Sequence, residues 1–258
     1  MAVVFLFLFC EGQAFCANES EKHWRIDEGA GAQTFNYAAT APLFYTQVFY
    51  RKPQRFFLLG RFDYLDKFND KTFSTTLGGG YYVLPKLILS DQFGFAPGAF
   101  VVPEVQNQFE ISGILPHGFA PYLRYGYRHY QVADVHLITP GVSWYWGERA
   151  IFDVNYTLAV NNIDGLSSGR TDHNVAARIT LIPWKDRLKF FVHYARTEES
   201  FDAGNPVLPF GRFHANHVGG GFEWAFLKNF GVRFYMDYEN RDNGQTAHVY
   251  ESGFFQKF

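Results

Sequence analysis

Cysteine is nearly missing from this sequence of 258 residues: the only two, Cys10 and Cys16, stand close to its start. No disulfide framework and no cysteine-based metal site is therefore expected in the rest of the chain. Long apolar runs are missing too, and none approaches the roughly 18 residues that a membrane-spanning helix needs, which excludes helical insertion. Charge is sparse at 19% and nearly balanced, with a formal net charge of -2. There is no basic excess to attract nucleic acid and no acidic tail. No G-x-S-x-G elbow, H-E-x-x-H helix, P-loop or carboxylate-rich calcium loop occurs, so neither enzymatic activity nor a cofactor or metal site is expected. His214 and His217 have opposite parity and would leave opposite faces of a strand. They are expected to be exposed imidazoles near a loop rather than part of an esterase site.

Aromatic residues are abundant, at 20% of the chain with 30 Phe and 16 Tyr. Near the start, the apolar stretch Val3 to Phe9 precedes Gly12 and Ala14, which predicts a signal peptide over residues 1–14, cleaved after Ala14. Met1-Ala2-Val3 carries no basic residue, which leaves open a translation start upstream. Lipid anchoring is not expected, because Phe9 and Phe15 precede the cysteines where a lipidation site needs a small residue.

Residues 15–258 show alternation with period two, the mark of a strand whose successive side chains leave opposite faces. Between Gly231 and Arg241, Val232, Phe234, Met236 and Tyr238 oppose Arg233, Tyr235, Asp237, Glu239 and Arg241. Between Ile151 and Val160, Phe152, Val154, Tyr156 and Leu158 oppose Asp153, Asn155 and Thr157. The count is about 14 strands of membrane-crossing length, with about 12 as the alternative. Short turns are expected at residues 52–54, 84–86, 116–118, 147–149, 183–186 and 227–229. Longer links are expected at 69–70, 97–103, 131–134, 161–172, 198–211 and 242–245. Short periplasmic turns alternating with longer external loops predict an even strand count with both termini in the periplasm.

Alternation alone does not say which face is outside, but a barrel of about 14 strands leaves a hole too wide for apolar side chains to fill. The charged face must then line the lumen and the greasy face must meet lipid. The fold expected is an all-β, transmembrane, antiparallel up-and-down β-barrel in the outer membrane of a Gram-negative bacterium. Its lumen-lining set is Arg61, Asp63, Arg124, Arg128, Asp153, Arg178, Lys189, His193, Arg233, Asp237 and Glu239. These charges either pair and fill the lumen or set a field across a pore. Residues 198–211 are the expected inward-folding constriction, and Gly78-Gly79-Gly80 and Gly219-Gly220-Gly221 are expected to let walls bend or a loop approach closely. Trp144, Trp146, Trp184 and Trp224 sit at expected strand ends, as an interfacial girdle requires. Tyr250, Phe254 and Phe258 form a partial C-terminal signature for the barrel-assembly machinery, with Gln256 where an aromatic is more usual.

Tyr127-Arg128-His129-Tyr130, the run Ala133 to Gly141, and Tyr145-Trp146-Gly147 resemble the central hairpin of the YaiO family of outer-membrane barrels. The resemblance covers residues 122–147. It implies Arg128 in the lumen, Asp134 turning the external loop and Gly147 starting a periplasmic turn. Some members carry an N-terminal tetratricopeptide region and sit near polysaccharide export systems, whereas this chain has no room for such repeats. The expected function is a structural or narrow porin-like barrel passing small polar solutes. An accessory barrel for envelope polysaccharide export or secretion is the alternative, and a rim-located lipid-modifying enzyme a distant third.

Overall fold

A computed structural model describes residues 24–165, 169–185, 187–201 and 210–258. The expected signal peptide lies outside the described residues. The strands are β1 (Trp24–Phe35), β2 (Ala41–Lys52), β3 (Phe56–Lys67), β4 (Asp70–Leu84), β5 (Leu87–Phe95), β6 (Val105–Gly113) and β7 (Phe119–Tyr130). They continue as β8 (Ala133–Trp146), β9 (Ala150–Ile163), β10 (Arg170–Trp184), β11 (Leu188–Phe201), β12 (Phe210–Trp224), β13 (Phe230–Arg241) and β14 (Thr246–Lys257). Each pairs antiparallel with its neighbours, and β1 pairs β14 from Arg25↔Lys257 to Phe35↔Ala247, so the sheet closes on itself and has no free edge. Closure satisfies every ladder in the wall, which a lipid environment demands.

The faces follow the alternation. On β13, Arg233, Tyr235, Asp237, Glu239 and Arg241 are buried in the lumen, while Met236 and Tyr238 are exposed on the outer wall. The link from β12 to β13 and those at residues 53–55, 85–86, 114–118, 147–149 and 185–187 are short and share the end where β1 begins and β14 finishes. Gly147 takes φ 58 to make its turn, a conformation glycine adopts without steric cost. All five tryptophans point outward at this same end: Trp24 opens β1, Trp144 and Trp146 close β8, and Trp184 and Trp224 close β10 and β12. That is the position of an interfacial belt, and the short links place it at the end expected to be periplasmic.

Strands run further toward the external end than the sequence suggests. The link expected at 161–172 shrinks to 164–169, because Asn161 and Asp172 belong to β9 and β10 and face the lumen. There Asn161 Nδ2 donates to Asp172 at 2.6 Å, and Ser200 Oγ donates to the same carboxylate at 2.5 Å. Likewise β11 and β12 reach Phe201 and Phe210, and most of the expected constriction, residues 202–209, lies outside the described residues. Asp134 does not turn the loop. It sits on β8 facing outward, accepting from Tyr127 (2.7 Å) and bonded to His129 (2.8 Å).

Glycine serves the wall in an unexpected way. Inside the barrel, rings lie against the glycine directly opposite on the next strand: Tyr45 on Gly29, Phe57 on Gly80, Tyr122 on Gly141, Phe191 on Gly221 and Phe255 on Gly231. His193 covers Gly219 in the same manner. A Cβ at any of these glycines would come within 2.7 Å of its ring. The close approach that the glycine runs permit is therefore by neighbouring side chains, which cover bare backbone and thicken the wall inward.

Candidate functional site

The lumen has two unlike halves. Around β9–β14 and β1–β2 it is filled by interlocked charged and aromatic groups. Arg25 holds Asp27 at 2.6 Å on its own strand and reaches Glu223 of β12 at 2.7 Å, and Lys189 approaches Glu223 at 3.9 Å. Arg233 stands 4.0 Å from Asp27 and 5.6 Å from the centre of the Tyr45 ring. Higher up, Asp237 sits between two imidazoles, bonded to His193 at 2.7 Å and His217 at 3.2 Å. His217 is 1% exposed, so it is a lumen residue and not the loop imidazole expected from sequence. The same alternation that buries it leaves His214 on the outer wall. Nearest the external end, Arg241 binds Glu239, approaches Glu199 at 3.6 Å, and lies over the Phe213 ring at 4.5 Å. Phe191, Tyr235 and Val249 form the apolar centre of this half. Arg178 lies over Phe191 at 4.3 Å and stands opposite both Asp153 and His193 in register.

The other half, lined by β3–β8, is less filled. Arg61 is clamped by Asp63 at 2.6 Å, and Arg124 by Glu110 at 2.7 Å. Asp153 accepts from Ser143 (2.6 Å) and Tyr122 (3.2 Å). Toward the external end the Arg61–Asp63 pair borders a cavity of about 50 Å³, lined also by Arg128 and Leu137 and by the uncharged Ser74, Thr76, Gln92, Gln106 and Gln108. Holding one water takes roughly 10–15 Å³ of such space, so the cavity admits only a few such molecules.

Above the cavity, residues 96–104 join two of its own lining strands and fold inward. Val101 is buried against Ala41 and Leu65, inner-face residues of β2 and β3. One carboxylate oxygen of Asp70 accepts the backbone N–H of Phe100 (2.8 Å), the backbone N–H of Val101 (3.0 Å) and the Thr72 hydroxyl (3.0 Å). At the base of the loop, Glu104 accepts the N–H of Gly98 at 3.0 Å. The inward-folded segment among the described residues is thus the β5–β6 loop.

Every residue of the expected lumen set lies on an inward-facing strand position. The structure brings His193 to Asp237 and Arg61 to Asp63, whereas Glu239, Lys189, Arg124 and Arg233 meet partners outside that set. Arg25, Asp27, Glu110, Glu199, His217, Glu223 and Arg241 complete the network, and all share the inward parity of their strands.

The chain superposes on the CymD monoaromatic hydrocarbon channel with a TM-score of 0.62 at 9% identity, covering 92% of this chain and 89% of that one. The fold is that of an outer-membrane β-barrel. A bacterial polysaccharide outer membrane secretin gives 0.58 at 9% identity, covering 94% and 100%. OpdQ of Pseudomonas aeruginosa gives 0.53 at 11% identity, covering 94% and 99%. No family model and no curated protein matches the sequence. Proteins of different use share this wall, so function has to be argued from the lumen.

Proposed function

We propose that this barrel is a narrow, loop-capped channel for small polar solutes in the outer membrane. The observation that carries the reading is the asymmetry of the lumen: one half is cross-braced by charge pairs, and the other holds a small polar cavity under the tethered loop 96–104. Amide and hydroxyl groups can exchange hydrogen bonds with a hydrated solute without binding it tightly. Two guanidiniums against one carboxylate in the lining favour anions over cations. The resemblance of residues 122–147 supports placing the chain near the YaiO family, and it is the sole support for the alternative of an accessory barrel for polysaccharide export or secretion. We also infer that Tyr250 and Phe254, on the outer face of β14, together with Phe258 are what the assembly machinery reads.

Planar-bilayer recording tests the channel. The native protein is expected to give small, steady, anion-favouring conductance, and Asp70→Ala, which frees the loop from its carboxylate, to raise it several-fold. Silence from both proteins, correctly folded by heat-dependent gel mobility, would overturn the channel reading and leave the accessory barrel.

A further inference from the structure

Histidine is distributed on the outer wall as unevenly as tryptophan, and at the opposite end. His129, His136, His173, His214 and His248 all face outward, and all lie within a few residues of the external ends of β7, β8, β10, β12 and β14. None occurs on the outer wall of β1–β6, where Phe44, Phe62, Phe73, Phe93 and Phe95 carry an apolar surface toward the same rim.

The imidazoles are built into a repeated arrangement. On the β7–β8 hairpin, the Tyr125 hydroxyl meets His136 Nδ1 at 2.8 Å, and on the β9–β10 hairpin Tyr156 meets His173 Nδ1 likewise. On the β11–β12 hairpin the same diagonal offset brings Tyr194 to Asn216 at 2.9 Å. On the last hairpin Tyr238 packs against His248 with ring centres 4.8 Å apart. The phenol O–H is a stronger acid than a neutral imidazole N–H, so we assign the hydroxyl as donor to Nδ1, which places the ring proton on Nε2. Each of His136 and His173 therefore presents an N–H donor directed away from its tyrosine. Arg196, exposed on β11 opposite Asn216, adds a permanent cation at this level. Carboxylates at this level are engaged: Asp134 with Tyr127 and His129, Glu104 with the Gly98 N–H and 4.0 Å from His129, and Glu198 with the backbone N–H of His173.

We propose that this sector of the outer wall, β7 to β12 at its external edge, binds the phosphate-bearing headgroup of an anionic lipid in the external leaflet. Phosphate oxygens would accept from Nε2–H of His136 and His173 and pair with the Arg196 guanidinium. The apolar wall of β1–β6 at the same height offers no such donors, so lipid of this class would gather on one side of the barrel only.

The test uses the full barrel in nanodiscs doped with diphosphorylated lipid A, with dephosphorylated lipid A and inorganic phosphate as separate arms. Native mass spectrometry is expected to show several-fold greater retention of the diphosphorylated lipid. That preference should be lost in the variant carrying His136→Phe, His173→Phe and Arg196→Gln. Should the variant not fold, ¹⁵N spectra of histidine-labelled native protein decide. The lipid should move the Nε2 signals of His136 and His173 and leave those of lumenal His193 and His217 in place. Equal retention of both lipid forms, a shift produced as well by free phosphate, or unmoved signals would overturn the proposal.

Discussion

Arg241→Met is expected to lower the unfolding free energy of the barrel by roughly 3–5 kcal/mol, the usual cost of leaving a buried charge without its partner. Arg241 is 1% exposed along its side chain, and the carboxylates it serves, Glu239 and Glu199, are 3% and 7% exposed. Methionine keeps much of the apolar contact with Phe213 and removes only the charge, so two acidic groups face each other in a dry space. Urea unfolding in lipid vesicles, followed by tryptophan fluorescence, measures the loss. The variant that also carries Glu239→Gln and Glu199→Gln should recover more than half of it, because the repulsion is gone. No recovery would mean that the guanidinium acts through its packing on the Phe213 ring instead.

The wall was legible in the sequence because lipid imposes period two wherever hydrocarbon touches it. Val232, Phe234, Met236 and Tyr238 fall on one face by alternation alone, and turn residues such as Pro53 and Gly147 mark where strands reverse. The alternation fades where the outer wall rises into the headgroup region, since both faces are then polar. Asn161 beside Asn162, and Thr171 beside Asp172, look like a loop for that reason and are in fact strand. The same effect hid His217, which stands among polar neighbours near the external end of β12 but points inward to Asp237.

Inward parity could be read for Arg61, Arg233 or Asp237, yet their partners could not. Arg25 meets Glu223 across 198 residues of sequence because closure of the barrel brings β1 within reach of β12. Nothing local in either strand encodes that meeting. The inward fold of residues 96–104 was hidden by a related cause. An Ala- and Val-bearing loop reads as an ordinary external link, and only Asp70, thirty residues earlier in the chain, converts it into a cap.

Gly141→Val is expected to destabilise the barrel by about 1–3 kcal/mol from overpacking alone, whereas Gly60→Val should be neutral or stabilising by up to about 1 kcal/mol, since glycine is a poor strand residue. Both glycines lie mid-strand, and what separates them is the face. A Cβ at Gly141 would meet the Tyr122 ring at 2.3 Å inside the lumen, and the displaced ring would also lose its bond to Asp153. A Cβ at Gly60 meets nothing closer than Leu77 at 3.8 Å on the outer wall. Pairing Gly141→Val with Tyr122→Ala should return part of the loss, because the ring that clashes is gone, although the cavity left behind prevents full recovery. Equal effects of valine at the two positions would mean that rings do not seal this wall from within, and that glycine is tolerated there for the twist of the sheet alone.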